Sequence, residues 1–165
     1  MYRLLIFRNS GAVPLLATLA VLSLAAKTAQ GQTSIAARPL QDLTFGFLLP
    51  GVATSIDAAT VTRSGQIQVE APIGTNFEVR YTLPTVMNGS GTTLPVSFGT
   101  TDGGAAPSAN PAAMQRFNPN NATRWQLVTT TRATFFLGGR ASPRVGQPVG
   151  GYTAPIIVTI TNLGV

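Results

Sequence analysis

The sequence predicts an all-β protein, an antiparallel immunoglobulin-like β-sandwich, and three observations support that fold class. Apolar and polar residues alternate with a period of two in several short segments, as in strands with one buried and one solvated face. Clusters of glycine, proline and asparagine separate these segments at intervals that suit short strands. Beyond residue 31, no segment repeats its apolar residues with the helical period of 3.6.

The alternation defines the predicted strands along the chain. The first is Thr44–Pro50, where Phe45, Phe47 and Leu49 alternate with other residues, and the last is residues 156–161. β-branched residues are frequent in these segments, as strands prefer. The inward-facing positions predict a buried core made of Phe45, Phe47, Ile67, Val69, Phe77, Val79, Tyr81, Val96, Phe98, Phe135, Leu137, Ile156, Val158 and Ile160.

One stretch interrupts this pattern. Residues 100–121 are rich in glycine, alanine, proline and asparagine, and Met114 and Phe117 are their main apolar residues. We expect a long surface loop here, and a loop of this length is either functional or loosely ordered. Strand patterning resumes at Trp125 and continues to Leu137.

Residues 1–31 have the organisation of a cleaved secretory signal peptide. Two arginines precede an apolar segment, residues 12–26, that is too short to span a bilayer. Small residues at Ala29 and Gly31 suit a cut before Gln32. An uncleaved N-terminal anchor is the alternative. We expect a mature single domain, residues 32–165, in the periplasm, at the cell surface or outside the cell.

The composition of the mature part excludes several classes of partner. Removing Arg3, Arg8 and Lys27 from the eleven basic residues leaves eight arginines against five carboxylates, a net charge of +3. The arginines are dispersed and are not interleaved with aromatic residues, so no nucleic-acid partner is expected. No second apolar segment is long enough to cross a membrane, so no membrane partner is expected after cleavage. The absence of cysteine leaves the fold without disulfides and favours a bacterial source.

The residue types also exclude most catalytic chemistry. Without histidine and cysteine, the chain cannot form the usual zinc, copper or haem ligand sets, a Ser-His-Asp triad or a Cys-His pair. The five carboxylates are dispersed, and their spacing does not suggest the pair of a glycosidase. We therefore predict a protein that is not an enzyme, with no catalytic residue, no bound metal and no cofactor.

Three short motifs have both a structural and a functional interpretation. Trp125, the only tryptophan, is either a core residue or a platform for stacking sugars, and the core interpretation is favoured. Asn88-Gly89-Ser90 and Asn121-Ala122-Thr123 match the N-glycosylation pattern, which arises by chance in loops rich in glycine and asparagine. We expect both to stay unmodified.

The chain resembles the bacterial domain-of-unknown-function family 4402 in three ordered blocks. The blocks are Pro39–Gly46, then Gly74–Val79 followed by Leu83-Pro84, and finally Phe136–Arg140 with Gly150-Gly151-Tyr152 and the last strand. They extend over nearly the whole mature chain, although residues 100–121 are longer than the expected connection. The resemblance implies a small exported all-β protein similar to subunits of chaperone–usher pili and to spore-coat-U-type proteins. It supplies no catalytic residue.

The predicted function is structural. We expect a cell-surface or fimbria-like subunit, or a matrix component, that joins copies of itself or other surface subunits with the help of a chaperone–usher system. Assembly would proceed by strand addition, in which an extended segment of one subunit fills the open edge and groove of a neighbour. Gln32–Asp42 is the candidate donor, since Ile35 and Ala37 alternate there before Pro39 prevents ladder pairing.

The alternative is a self-contained exported binding module, for example for a glycan, that uses residues 100–121 and Trp125. The two hypotheses predict different N-terminal structures. A strand paired within its own sheet favours the binding module or a monomer. A six-stranded fold with an open groove favours the pilin-like subunit.

Overall fold

The computed structural model describes residues 34–164, so the predicted signal peptide and the cut before Gln32 lie outside the described residues. The described part contains twelve strands and one short 3-10 turn, Pro111–Ala113. The strands are β1 (Ala36–Gln41), β2 (Thr54–Ile56), β3 (Gly65–Glu70), β4 (Asn76–Thr82), β5 (Val86–Gly89), β6 (Thr92–Ser97), β7 (Gly103–Ala106), β8 (Gln115–Phe117), β9 (Thr123–Gln126), β10 (Arg132–Leu137), β11 (Gly139–Ala141) and β12 (Ile157–Gly164).

These strands form three sheets, and every pair of neighbours is antiparallel. The five-stranded sheet has the order β1-β3-β10-β7-β8, the four-stranded sheet β2-β11-β6-β5, and the three-stranded sheet β12-β4-β9. The five-stranded and three-stranded sheets pack face to face. The fold is therefore an antiparallel β-sandwich, as the alternation predicts.

The main core fills the space between these two sheets. Phe77 on β4 meets Phe135 on β10 edge to face, with ring centroids 5.9 Å apart. Ile67 and Val69 of β3 join the same cluster from one sheet, and Val158 of β12 joins it from the other. Burial of these apolar side chains is the main force that holds the layers together.

A second core lies beneath the four-stranded sheet. Phe45, Leu94 and Tyr152 are among its buried residues. The chain passes from the five-stranded sheet into the four-stranded sheet through a tight corner at Gly138. β10 belongs to the five-stranded sheet and β11 to the four-stranded sheet, with Gly138 between them. A Cβ at Gly138 would lie 2.8 Å from the backbone nitrogen of Ala58, so the corner requires glycine.

The predicted core is mostly correct. Phe98, Ile156 and Ile160 are only partly buried, although they pack against the main core, and Phe47 is fully exposed. The other predicted core residues are buried, namely Phe45, Ile67, Val69, Phe77, Val79, Tyr81, Val96, Phe135, Leu137 and Val158.

The prediction of a strand at Thr44–Pro50 is wrong. The segment forms no strand, and Phe47 and Leu49 both face solvent while Phe45 is buried. Gly46 has a φ of +67°, which turns the chain away from the extended conformation after Phe45. The Arg63 guanidinium donates a hydrogen bond to the carbonyl oxygen of Phe45, so this carbonyl is paired by a side chain.

The prediction of one long surface loop at residues 100–121 is also wrong. This stretch contains β7, the 3-10 turn and β8, and all four residues of β7 are buried. Because β7 begins with Gly103 and Gly104, larger side chains lie directly over its backbone. A Cβ at Gly103 would be 2.5 Å from the Phe117 ring, and a Cβ at Gly104 would overlap the Met114 side chain.

The phase of β12 is tested by truncating Val158, which is 9% exposed and belongs to the main core. We expect Val158→Ala to lower the free energy of unfolding by about 2 kcal/mol, through lost transfer energy and a residual cavity. Ile157→Ala is the matched control, because Ile157 faces outward and should cost less than ~1 kcal/mol. A urea titration that gives the larger loss for Ile157→Ala would reverse the assigned phase.

Candidate assembly edge

The most unusual surface of the sandwich is the outer edge of β12. β12 has eight residues, pairs with β4 on one side, and has no strand on its other side among residues 34–164. It contains no charged residue and no proline. Ile157 and Leu163 are 42% and 46% exposed. A long, uncharged edge beside which no described strand lies is a template for a further strand.

The other edges of the same two layers are protected in ways that natural sheets use against edge-to-edge pairing. β1 has Arg38, Pro39 and a register shift between Pro39 and Gln41. β8 has only three residues and includes Arg116, which binds Asp57 at 2.7 Å. β9 has four residues and includes Arg124.

The edges of the four-stranded sheet are short or covered. β2 has only three residues. β5 is bridged on its outer side by Thr153, whose backbone exchanges hydrogen bonds of 2.8 and 2.9 Å with Asn88. Among the six sheet edges of the described residues, β12 is therefore the one that is long, uncharged and uncovered.

A narrow apolar cleft lies between the end of β1 and the start of β12. It encloses about 20 Å³, roughly the space of one water molecule. Ile156 and Val158 line it from one layer, Phe135 and Leu137 from the other, and Tyr81 is buried beside them. Burial raises the pKa of the Tyr81 phenol, because the ionised form would lose its hydration there. The cleft is too small for a ligand of drug size.

The raised pKa of Tyr81 predicts a loss of stability at alkaline pH. The unfolded chain releases this proton near the ordinary value of 10.0, whereas the folded protein retains it. Above that pH the unfolded state binds fewer protons, so the free energy of unfolding falls by up to about 1.4 kcal/mol per pH unit. We expect Tyr81→Phe to flatten the decline between pH 10 and 11.5 in urea titrations. An unchanged slope would contradict the burial of this phenol.

The N-terminal candidate donor is already paired. β1 makes an antiparallel ladder with β3 from Ala36 opposite Glu70 to Gln41 opposite Gln66. Ile35 and Ala37 pack against the main core, as their alternation suggests, while most of β1 is exposed. This arrangement favours the binding module or a monomer over the subunit that donates its N-terminus.

The two features predicted to bind a glycan have structural roles. Trp125 on β9 is partly buried and meets Phe135 edge to face at 5.9 Å, which agrees with the core interpretation. Residues 100–121 supply β7 and β8 to the five-stranded sheet. Trp125 and residues 100–121 are therefore both engaged in packing, at least in part.

The first glycosylation motif lies at a sheet edge, where the backbone of Asn88 bridges to Thr153.

Several carboxylates of the described residues are engaged in ion pairs and turns. Asp57 binds Arg116, and the hydrogen bond from that guanidinium lowers the pKa of the Asp57 carboxyl. Glu70 pairs with Arg132 at 3.2 Å. Asp102 accepts a hydrogen bond from the backbone nitrogen of Gly99. Within residues 34–164, no three acidic side chains come together in a way that would hold a metal ion.

Sequence reasoning missed a second exposed surface, the apolar tip, which we define as Phe47, Leu49, Val52, Val145 and Val149. These residues lie on two loops that meet where the backbone nitrogen of Gly51 donates to the carbonyl oxygen of Pro143 at 3.2 Å. All five side chains are more than half exposed. The run of apolar residues around the Pro50-Gly51 turn was the available signal, and the alternation placed it in a strand instead.

The second loop of the apolar tip is held from below by a polar network. Gln147, which is buried, donates to the Tyr152 hydroxyl at 2.9 Å and to the carbonyl oxygen of Thr93 at 3.2 Å. The Tyr152 hydroxyl donates to the carbonyl oxygen of Pro148 at 2.8 Å. These bonds hold the loop that carries Val145 and Val149 against the sheet beneath it.

No helix among the described residues is long and apolar enough to span a membrane. Comparisons with protein-family models, with curated proteins and with solved structures found no match to this chain. Function is therefore inferred from the fold and its exposed surfaces.

Proposed function

We propose that this protein is an exported structural subunit, pilin-like in that it assembles at the cell surface by strand addition. The observation that carries the proposal is the outer edge of β12, which among the sheet edges of residues 34–164 is the one long edge without a charge, a proline or a described covering strand. Natural sheets protect such edges unless another strand is meant to pair there.

Two further features support a structural role. Asp57 and Glu70 are held in ion pairs with Arg116 and Arg132, and Asp102 accepts a hydrogen bond in a turn, which suits a protein that acts by contact. The leader predicted at residues 1–31 and the resemblance to exported all-β subunits support a location outside the cytoplasm.

The pairing of β1 with β3 of the same chain changes the expected mechanism. In the sequence-based hypothesis, Gln32–Asp42 donates a strand to a neighbour, yet residues 36–41 already pair with β3. We therefore assign β12 as the acceptor edge. The N-terminal segment acts as a donor only if β1 leaves β3 and pairs with the β3 of a neighbour, as in domain swapping.

The proposal is tested by sedimentation velocity of residues 32–165 over a wide concentration range. We expect association that depends on concentration and changes little with salt, because backbone ladders and apolar contacts carry it. Removal of residues 32–42 should abolish association only if β1 is exchanged between subunits. A protein that stays monomeric at the highest concentration, even with a synthetic Gln32–Asp42 peptide, would contradict the proposal.

The alternative is an exported binding module, and the apolar tip is the observation that favours it. Phe47 presents a fully exposed aromatic ring, and the exposed aliphatic side chain of Leu49 lies two residues along the same loop. Such a ring provides an apolar platform for the carbon face of a sugar. A glycan array probed with wild type and Phe47→Ser tests this function. Saturable binding that Phe47→Ser removes would support it, and no binding by wild type would reject it.

A further inference from the structure

We infer that the strand added to β12 is the β12 of a second copy, paired antiparallel about Ile160, and this inference rests on the proposed function. The dimer would join two three-stranded sheets into one six-stranded sheet. Its partner is identified by the chemistry of the edge itself, which is uncharged over all eight residues.

Charge is the first argument for a second copy. β12 brings no ionic repulsion against another β12, because Ile157–Gly164 contains no Asp, Glu, Lys or Arg. The other accessible edges would meet themselves with like charges, Arg38 on β1 and Arg124 on β9. Among these edges, self-pairing is therefore least opposed at β12.

The faces of the sheet restrict the register. Residues directly opposite each other in an antiparallel pair point to the same face. Residues on the outer face of one β12 must therefore lie opposite outer-face residues of the other, which holds only when the pair is centred on a residue and not between two residues. Thr159 and Thr161 are exposed, whereas Val158 is buried.

Centring on Ile160 pairs seven of the eight residues of β12, 157–163, and leaves only Gly164 without an opposite residue. Thr159 then lies opposite Thr161 of the second copy, and such threonine pairs are favourable across strands. Ile157 approaches Leu163 of the second copy, which brings together the two large exposed apolar side chains of β12. The bulge between Asn162 and Gly164 falls at Leu163, so the regular ladder ends at this outermost pair.

Cysteine cross-linking tests this register, because the natural chain contains no cysteine. Thr159→Cys is mixed with a tagged Thr161→Cys protein, both as residues 32–165, under mild oxidation. The two thiols should lie within disulfide range across the pair, so the mixed disulfide should form at least about tenfold faster than a collisional one. Thr129→Cys mixed with Thr101→Cys gives the collisional rate, because both positions are exposed and lie in loops away from β12.

The outcomes separate this inference from the proposed function. A preferred 159–161 disulfide supports the inference, particularly if Thr159→Lys reduces association of the otherwise natural chain while Thr129→Lys does not. Association without that disulfide overturns the inference and leaves the structural function standing. A protein that is monomeric in sedimentation and cross-links only at the collisional rate overturns both.

Discussion

Phe135→Ala is expected to remove about 3–5 kcal/mol of the free energy of unfolding. Phe135 is 1% exposed, and its ring contacts three other aromatic rings edge to face. The centroids of Phe77 and Trp125 are each 5.9 Å away, and that of Phe117 is 6.2 Å away. The ring joins strands of both layers, so its loss leaves a cavity at the centre of the sandwich that rigid strands cannot close.

A urea titration followed by the fluorescence of Trp125, the only tryptophan, measures this loss. Phe47→Ala is the matched control, because it removes the same side chain from a fully exposed position and should change stability by less than ~0.5 kcal/mol. If Phe47→Ala were the more damaging substitution, the described course of residues 44–50 would be incorrect.

Gly89→Ala is expected to cost about 3 kcal/mol or more although it adds a single methyl group. The new Cβ would overlap the carbonyl oxygen of Gly151 and lie 2.9 Å from the Tyr152 Cα. These are backbone positions, so β5 must move away and break its hydrogen bonds between Asn88 and Thr153. The displacement would also disturb Tyr152, which anchors the loop of the apolar tip.

Gly151→Ala provides the control for this substitution. A Cβ at Gly151 would meet no atom within 4 Å, and its φ does not lie in the left-handed region. We expect a change in stability within ~0.5 kcal/mol. Thermal unfolding of both variants is the measurement, and equal midpoints would show that the approach of β5 to residues 151–153 is not tight.

The sequence predicted the strands that have one clearly buried face. In β3 and β4, apolar residues such as Ile67, Val69 and Phe77 alternate with polar ones, and burial follows that alternation. The same rule failed at Phe47, because alternation describes spacing and contains no information about whether a partner strand is available. There, Gly46 turns the chain and no strand pairs with the segment.

β7 could not be predicted from propensity. Gly103-Gly104-Ala105-Ala106 has low intrinsic preference for strands, and its position in the sheet depends on contacts with Phe117 and Met114. Tertiary packing overrides local preference at this strand. β1 was missed for a related reason, because Pro39 and the exposed side chains around it suggest an unpaired segment.

The sequence predicts the uncharged composition of the candidate edge, but not the position of that strand at the edge of a sheet. The uncharged last strand is apparent from residues 157–164 alone. Its position at an edge depends on topology, since β4 pairs with β12 on one side and with β9 on the other. The protection of the remaining edges by Arg38, Pro39 and Arg124 becomes meaningful only when those strands are known to be edges.

Amide hydrogen exchange at β12, measured at low and high concentrations of residues 32–165, tests most directly whether β12 is the assembly edge. We expect the outward-facing amides of β12 to exchange quickly in dilute solution and to gain protection at high concentration. The amides of β1 should show no such change. Exchange at β12 that is independent of concentration, together with new protection at β1, would contradict this assignment and return the donor role to the N-terminal segment.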